Sequence, residues 1–128
     1  MSVMDKNAMM KRTRDFALRS VRLWQALPQR TDAEVLGKQL LRAATSVGAN
    51  YRSACHAKSS ADFLAKLKIC EEEADECEYW LELMVAAEVV TDRSVAALRC
   101  EAHELASMFT AGTRTAGTRT ARASQNNH

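Results

Sequence analysis

Cys100 and His103 are three residues apart, so on a helix a thiol and an imidazole could meet one turn apart. That spacing is the beginning of a nucleophilic dyad. A dyad also needs an oxyanion hole and a third group to orient the imidazole. A regular helix commits its amides to its own ladder and leaves few for an oxyanion. The pair therefore reads as structural. The second chemistry to weigh is a carboxylate metal site, because Glu71-Glu72-Glu73 is followed closely by Asp75, Glu76 and Glu78. A di-iron bundle site draws on inward Glu residues and two Glu-x-x-His pairs. No Glu-x-x-His occurs, and His103 has Cys100 at that spacing. The acidic run thus reads as a solvated or subunit-facing helix surface. There is no G-x-S-x-G elbow, P-loop or dinucleotide fingerprint. Cys55, Cys70, Cys77 and Cys100 form no C-x-x-C pair, so neither a zinc knuckle nor a redox motif is indicated. The expectation is a non-enzymatic protein with no cofactor and no metal.

What remains is charge on surfaces. On a helical wheel Lys11, Arg12, Arg19 and Arg22 share an arc about 100° wide, with Asp15 among them. Arg42, Arg52 and Lys58 add charge further along. Lys11, Arg12, Arg19, Arg22, Arg52 and Lys58 are the candidate nucleic-acid-binding residues, because such a stripe can hold phosphates without reading sequence. Few aromatics lie between them, so base stacking is not supported. Residues 1–30 hold seven Lys/Arg against two acids, and residues 59–90 hold two Lys against nine acids. Poles of opposite sign suit a polyanion, or equally the pairing of a basic helix with the acidic helix of a neighbouring copy.

Four helices are needed to position these residues. The first is predicted from about Lys6 to Leu27, ended by Pro28. The second starts after a cap at Thr31 or Asp32 and runs to about Ala57. In it Ala33, Gly37, Leu40, Ala44, Val47, Tyr51 and Ala54 repeat at alternating spacings of four and three. The third opens with Ser59 or Ser60 as cap and carries the clearest seam: Phe63, Leu67, Cys70, Ala74, Cys77, Leu81 and Met84. Beside it lies a second stripe of Ile69, Glu73, Glu76, Trp80 and Leu83. That stripe is the candidate oligomer interface, with a broad core face as the alternative. The fourth helix follows Thr91-Asp92 on a seam of Val95, Leu98, Ala102, Leu105 and Phe109. Short connections favour antiparallel neighbours, and so an all-α, up-and-down four-helix bundle over residues 1–111. From 112 to 128 the repeat Thr-Ala-Gly-Thr-Arg and three arginines read as a disordered basic tail.

Composition agrees. Four Gly and one Pro in 128 residues punctuate too little for a sheet-rich domain, and 47% apolar residues can fill one core. Three of the four cysteines fall on apolar seams, so reduced thiols and a cytoplasmic setting are expected. No apolar run reaches about 18 residues, and no signal-type segment follows the N-terminus, so no membrane partner is expected.

One family matches these segments in order. Gln39-Leu-Leu-Arg-Ala-Ala-Thr-Ser-Val-Gly-Ala-Asn50 resembles the hallmark of the bacterial four-helix bundle proteins linked to 23S rRNA intervening sequences. Phe63-Leu-Ala-Lys-Leu-Lys-Ile69, Glu72-Glu-Ala-Asp-Glu-Cys-Glu-Tyr-Trp-Leu-Glu-Leu83 and Glu101-Ala-His-Glu-Leu-Ala-Ser-Met-Phe109 are similar to its later helices. The resemblance spans roughly residues 10–111. It implies a ring-like homo-oligomer, commonly a homopentamer, with no catalytic activity. A related branch, the accessory protein of diversity-generating retroelements, implies RNA or DNA and a reverse transcriptase as possible partners. A protein–protein scaffold with no nucleic-acid role is the alternative function. The sequence departs from the pattern after Asn50: Tyr51-Arg52-Ser53-Ala54 stands where relatives carry an apolar residue and Ala-Glu-Gly.

Overall fold

Asp5 opens the first helix, its carboxylate accepting from the amides of Asn7 and Ala8. In the computed structural model, which describes residues 5–126, four helices follow in order. They are α1 (Lys6–Ala26), α2 (Thr31–Cys55), α3 (Ser60–Ala86) and α4 (Asp92–Asn126), and no strand occurs among the described residues. Leu27 turns extended before Pro28 and ends α1. The cap expected at Thr31 or Asp32 is not used. Both residues lie inside the first turn of α2, the cap position belongs to Arg30, and Asp32 instead pairs with Arg30 at 2.6 Å. Ser59 caps α3 as expected, accepting from the Asp62 amide at 3.1 Å. The Thr91 hydroxyl accepts from the Ser94 amide at the start of α4.

Between α3 and α4 the chain turns on Glu88, which has φ 59°. Its amide bonds to the Val85 carbonyl, and the Val89 amide bonds to that of Met84. This is a Schellman closure with Glu where Gly is usual. Buried Val89 supplies the apolar contact that such a closure needs.

The helices pack antiparallel as an up-and-down bundle, with α2–α3, α3–α4 and α1–α2 as the extensive interfaces and α1–α4 the slighter one. The core holds every predicted seam residue of α2, and every one of α3 except the half-buried Phe63. Tyr51 and Phe109 meet across it, ring centroids 5.9 Å apart. In α1 the buried line is Met9, Thr13, Phe16 and Ser20. Two of these four are polar. Each hydroxyl donates back to a carbonyl four residues earlier, Thr13 to Met9 and Ser20 to Phe16, so no polar group is left orphaned there.

Residues 112–126 correct the expectation of a disordered tail: they continue α4. Ala116 is buried, and the Thr113 hydroxyl donates to Glu71 of α3 at 3.0 Å. Residues 127–128 of that expected tail lie outside the described residues.

Two glycines of α2 should respond oppositely to a methyl group. A Cβ on Gly37 would sit 2.5 Å from Leu27 Cδ1 and 2.8 Å from the Trp24 ring. On Gly48 its nearest neighbour would be Thr13 Oγ1 at 3.4 Å. Both substitutions gain about 1 kcal/mol of helix propensity. Overpacking costs about 1–3 kcal/mol and outweighs that gain only at Gly37. Urea unfolding should therefore show Gly48→Ala more stable than the parent by about 0.5–1 kcal/mol and Gly37→Ala less stable by about 1 kcal/mol. Equal shifts of the same sign would refute the close approach of α1 at Gly37.

Candidate nucleic-acid interface

The six predicted binding residues divide by what they already touch. Lys11 is exposed, with its ammonium 2.6 Å from Asp15, and that contact holds the Asp15 carboxyl below the usual range. Arg12 is the most engaged. Its fork donates to both oxygens of Glu101 at 2.8 Å, one amino group reaches Glu104 at 2.5 Å, and another faces the Met108 sulfur at 3.2 Å. Donation to the Glu101 carboxylate, then that carboxylate's charge, then Glu104, raises the Arg12 guanidinium above the ordinary arginine pKa range. Arg12 therefore clamps α1 to α4 and is a poor phosphate ligand, because a phosphate would have to displace two carboxylates. Arg19, Arg22, Arg52 and Lys58 are exposed, and no ion pair involves them among the described residues.

The predicted stripe on α3 is likewise partly satisfied within the chain. Arg42 of α2 reaches across to Glu73 at 3.2 Å and to Glu76, and the Trp80 indole donates to Glu76 at 2.8 Å. Ile69, Trp80 and Leu83 are half-buried. His103, apart from Cys100 in its bonding, accepts or donates at 3.1 Å with Glu78 of α3.

Folding splits the expected stripe and sorts charge along the bundle axis. Because alternate helices are antiparallel, the start of α1, the end of α2, the start of α3 and the end of α4 share one end. Residues 5–18, 43–72 and 106–126 make up that half and hold eleven Lys/Arg against five Asp/Glu. The other half, residues 19–42 and 73–105, holds seven against eleven. Arg19 and Arg22 lie in the acidic half, about 20 Å along α1 from Lys6. Arg52 and Lys58 lie in the basic half.

At the basic end a cleft of about 790 Å³ opens between the helix ends, lined by Lys6, Lys58 and Arg119 and floored by Tyr51, Ala54, Phe63, Leu67 and Ala116. Arg114 and Arg122 stand exposed on the same stretch of α4. Lys6, Arg114, Arg119 and Arg122 were not among the predicted residues. Lys6 and Arg119 sit at opposite ends of the chain, and the sequence beyond 111 has no apolar periodicity to predict the helix that carries Arg119. Only the helical continuation brings the last three arginines to the end that already carries Lys6 and Lys58. No group of three or more His, Cys, Asp or Glu side chains suited to a metal ion occurs among the described residues.

Comparison with known proteins agrees with this architecture. A protein of unknown function from the S23 ribosomal protein family of Bacteroides thetaiotaomicron superposes with a TM-score of 0.80 at 36% sequence identity. The match covers 87% of this chain and 99% of that one. No functionally curated protein matches. The family model of the 23S rRNA-intervening sequence protein matches residues 5–111, the whole of α1 to α3 and most of α4, and the chain belongs to that family.

Proposed function

We propose that this protein is a non-catalytic, homo-oligomeric bundle that associates with RNA or DNA through the basic half of its surface. The observation that carries the reading is the axial sorting of charge, with eleven cations against five acids at one end and the three arginines of the α4 extension unaccompanied by any acid. Exposed Lys/Arg without carboxylate partners are what a phosphate backbone displaces counterions to reach. Arg52, Lys58, Arg114, Arg119 and Arg122 form the core of the proposed surface, and Arg19 and Arg22 a separate, weaker patch. The half-buried Ile69, Trp80 and Leu83 suit a contact between copies, and a ring of five is the assembly this family membership favours. Reduced, free cysteines suit a cytoplasmic setting.

Anisotropy of a labelled single-stranded RNA across a salt series tests the reading. The affinity of the parent protein should fall steeply with salt, by a log–log slope of about 0.7 per phosphate contact. Removing Arg114, Arg119 and Arg122 together should flatten that slope by about two, while removing Arg19 and Arg22 changes it less. No binding at low salt, or binding indifferent to salt, would overturn the proposal. A second reading, a scaffold for a basic protein partner, is favoured by one feature: Tyr79, 55% exposed, stands beside Asp75, Glu78 and Glu82 on the acidic half. Tyr79→Ala with an unchanged RNA slope and loss of a co-purifying basic protein would support it.

A further inference from the structure

We infer that the cleft at the basic end is a binding site for a single nucleotide unit, either a free nucleoside monophosphate or the terminal nucleotide of a single strand. The inference rests on the nucleic-acid reading above and narrows it from a charged surface to a shaped site.

Three features of the cleft converge. First, its volume of about 790 Å³ falls within the range of small-molecule sites, about 300–1,000 Å³. Second, its cations come from three separate segments, Lys6 from α1, Lys58 from the α2–α3 turn and Arg119 from α4, and no Asp or Glu lines it. The nearby carboxylates are already engaged: Asp5 accepts from the amides of Asn7 and Ala8, and Asp62 from the amide of Lys58. None of the three cations is in an ion pair among the described residues, so each can meet an anionic ligand. Third, the wall is apolar and partly aromatic, with Phe63 half-buried and Tyr51 and Leu67 buried behind it.

These features together select the ligand. Inorganic phosphate would pair with the cations and leave the apolar wall wet. A neutral apolar molecule would fill the wall and leave three cations unpaired. A flat base joined to a phosphate satisfies both, the base against Phe63 and the phosphate among Lys6, Lys58 and Arg119. The aromatic contribution is what the sequence could not supply. Phe63 is only five residues from Lys58 but more than fifty from both Lys6 and Arg119, so the linear chain does not show the three cations gathered at one aromatic ring.

The test is NMR titration of the full chain with adenosine monophosphate, adenosine and inorganic phosphate separately, alongside RNA anisotropy. The monophosphate should shift the amides of residues lining the cleft and bind about tenfold tighter than either fragment. Lys58→Ala, at an exposed position that leaves the core intact, should weaken the monophosphate by about tenfold, the scale of one charge-assisted contact. Phe63→Leu should weaken the monophosphate while leaving phosphate unchanged. A 5′-phosphorylated oligonucleotide that competes with the monophosphate identifies a strand end as the source, and one that does not identifies the free nucleotide; either supports the site. Monophosphate binding no tighter than phosphate, or unaffected by Lys58→Ala, overturns the site even if long RNA still binds with a steep salt dependence. Loss of RNA binding together with retained monophosphate binding instead overturns the surface reading and keeps the cleft.

Discussion

Phe109→Ala should lower the unfolding free energy by about 3–5 kcal/mol, the range for removing a buried aromatic ring from a packed core. Phe109 is fully buried at the level where α4 faces Tyr51 of α2. Its neighbours are held in heptad seams on three helices and cannot slide inward without breaking register, so the vacated volume would persist as a cavity. The rest of α4 makes the cost steeper. Beyond Phe109 the helix is held to the bundle by Ala116 and by the Thr113–Glu71 bond, and its Gly, Thr and Ser residues have modest intrinsic helicity. Loosening Phe109 should therefore fray the extension as well, visible as lost helical signal before the main transition. Urea unfolding at one fixed protein concentration measures the effect, since assembly would make stability concentration-dependent. A loss below about 1 kcal/mol would mean that the ring does not sit in the core.

The same stretch of α4 shows how far the fold was legible in the sequence and why the reading stopped. The seams of α2 and α3 could be read because large apolar residues recur among charged ones: Leu40, Val47, Tyr51, Leu67, Leu81 and Met84 stand out at fixed spacing. In α4 the seam continues past Phe109, but it does so through small residues, with Ala116 the buried one. A glycine- and threonine-rich repeat carries almost no apolar contrast, so periodicity vanishes just where α3 still offers a surface to pack on. Thr13 and Ser20 were invisible as core positions for a related reason. A hydroxyl reads as polar in sequence, while in a helix it can spend its donor on the carbonyl of the preceding turn and be buried at little cost.

The candidate site was legible as charge and not as geometry. Helix 1 announced a basic face, yet Arg12, at one edge of that face, is bound to Glu101 and Glu104, eighty-nine residues and more away. An ion pair between distant segments has no sequence signature, so a wheel counts its members as free. The sorting of charge by bundle end follows from antiparallel order alone: it brings Lys58 and Lys6 together and separates both from Arg19 and Arg22. That order was predicted. Its electrostatic consequence needed the correct length of α4, because Arg114, Arg119 and Arg122 belong to the basic end only if the helix reaches it.

Alkylation should separate the four cysteines by orders of magnitude. All are free thiols: Cys100 is exposed, Cys55 half-buried, and Cys70 and Cys77 sit on the buried seam of α3. The thiolate is the reactive form. Burial pushes the Cys70 thiol up to about 12 from an ordinary 9.0, and its Sγ faces the Val47 carbonyl at 3.6 Å, a contact that suits the protonated form. Burial, with the nearby charges of Glu73 and Glu76, pushes Cys77 up as well. At mildly alkaline pH the thiolate fraction of Cys70 is then about a thousandfold below that of an unperturbed thiol, before access is considered. Brief treatment of the native protein with iodoacetamide should label Cys100 and spare Cys70 and Cys77, while the unfolded chain labels all four; mass spectrometry of peptides reads the result. The same shift sets a pH dependence. Between about pH 9 and 12 the folded chain keeps protons that the unfolded chain releases, so this contribution is complete below about pH 9 and drains away as pH rises. It is on the order of 4 kcal/mol for Cys70. Cys70→Ala should flatten the alkaline loss of stability. Native labelling of Cys70 at the rate of Cys100 would show that the α3 seam does not face the core.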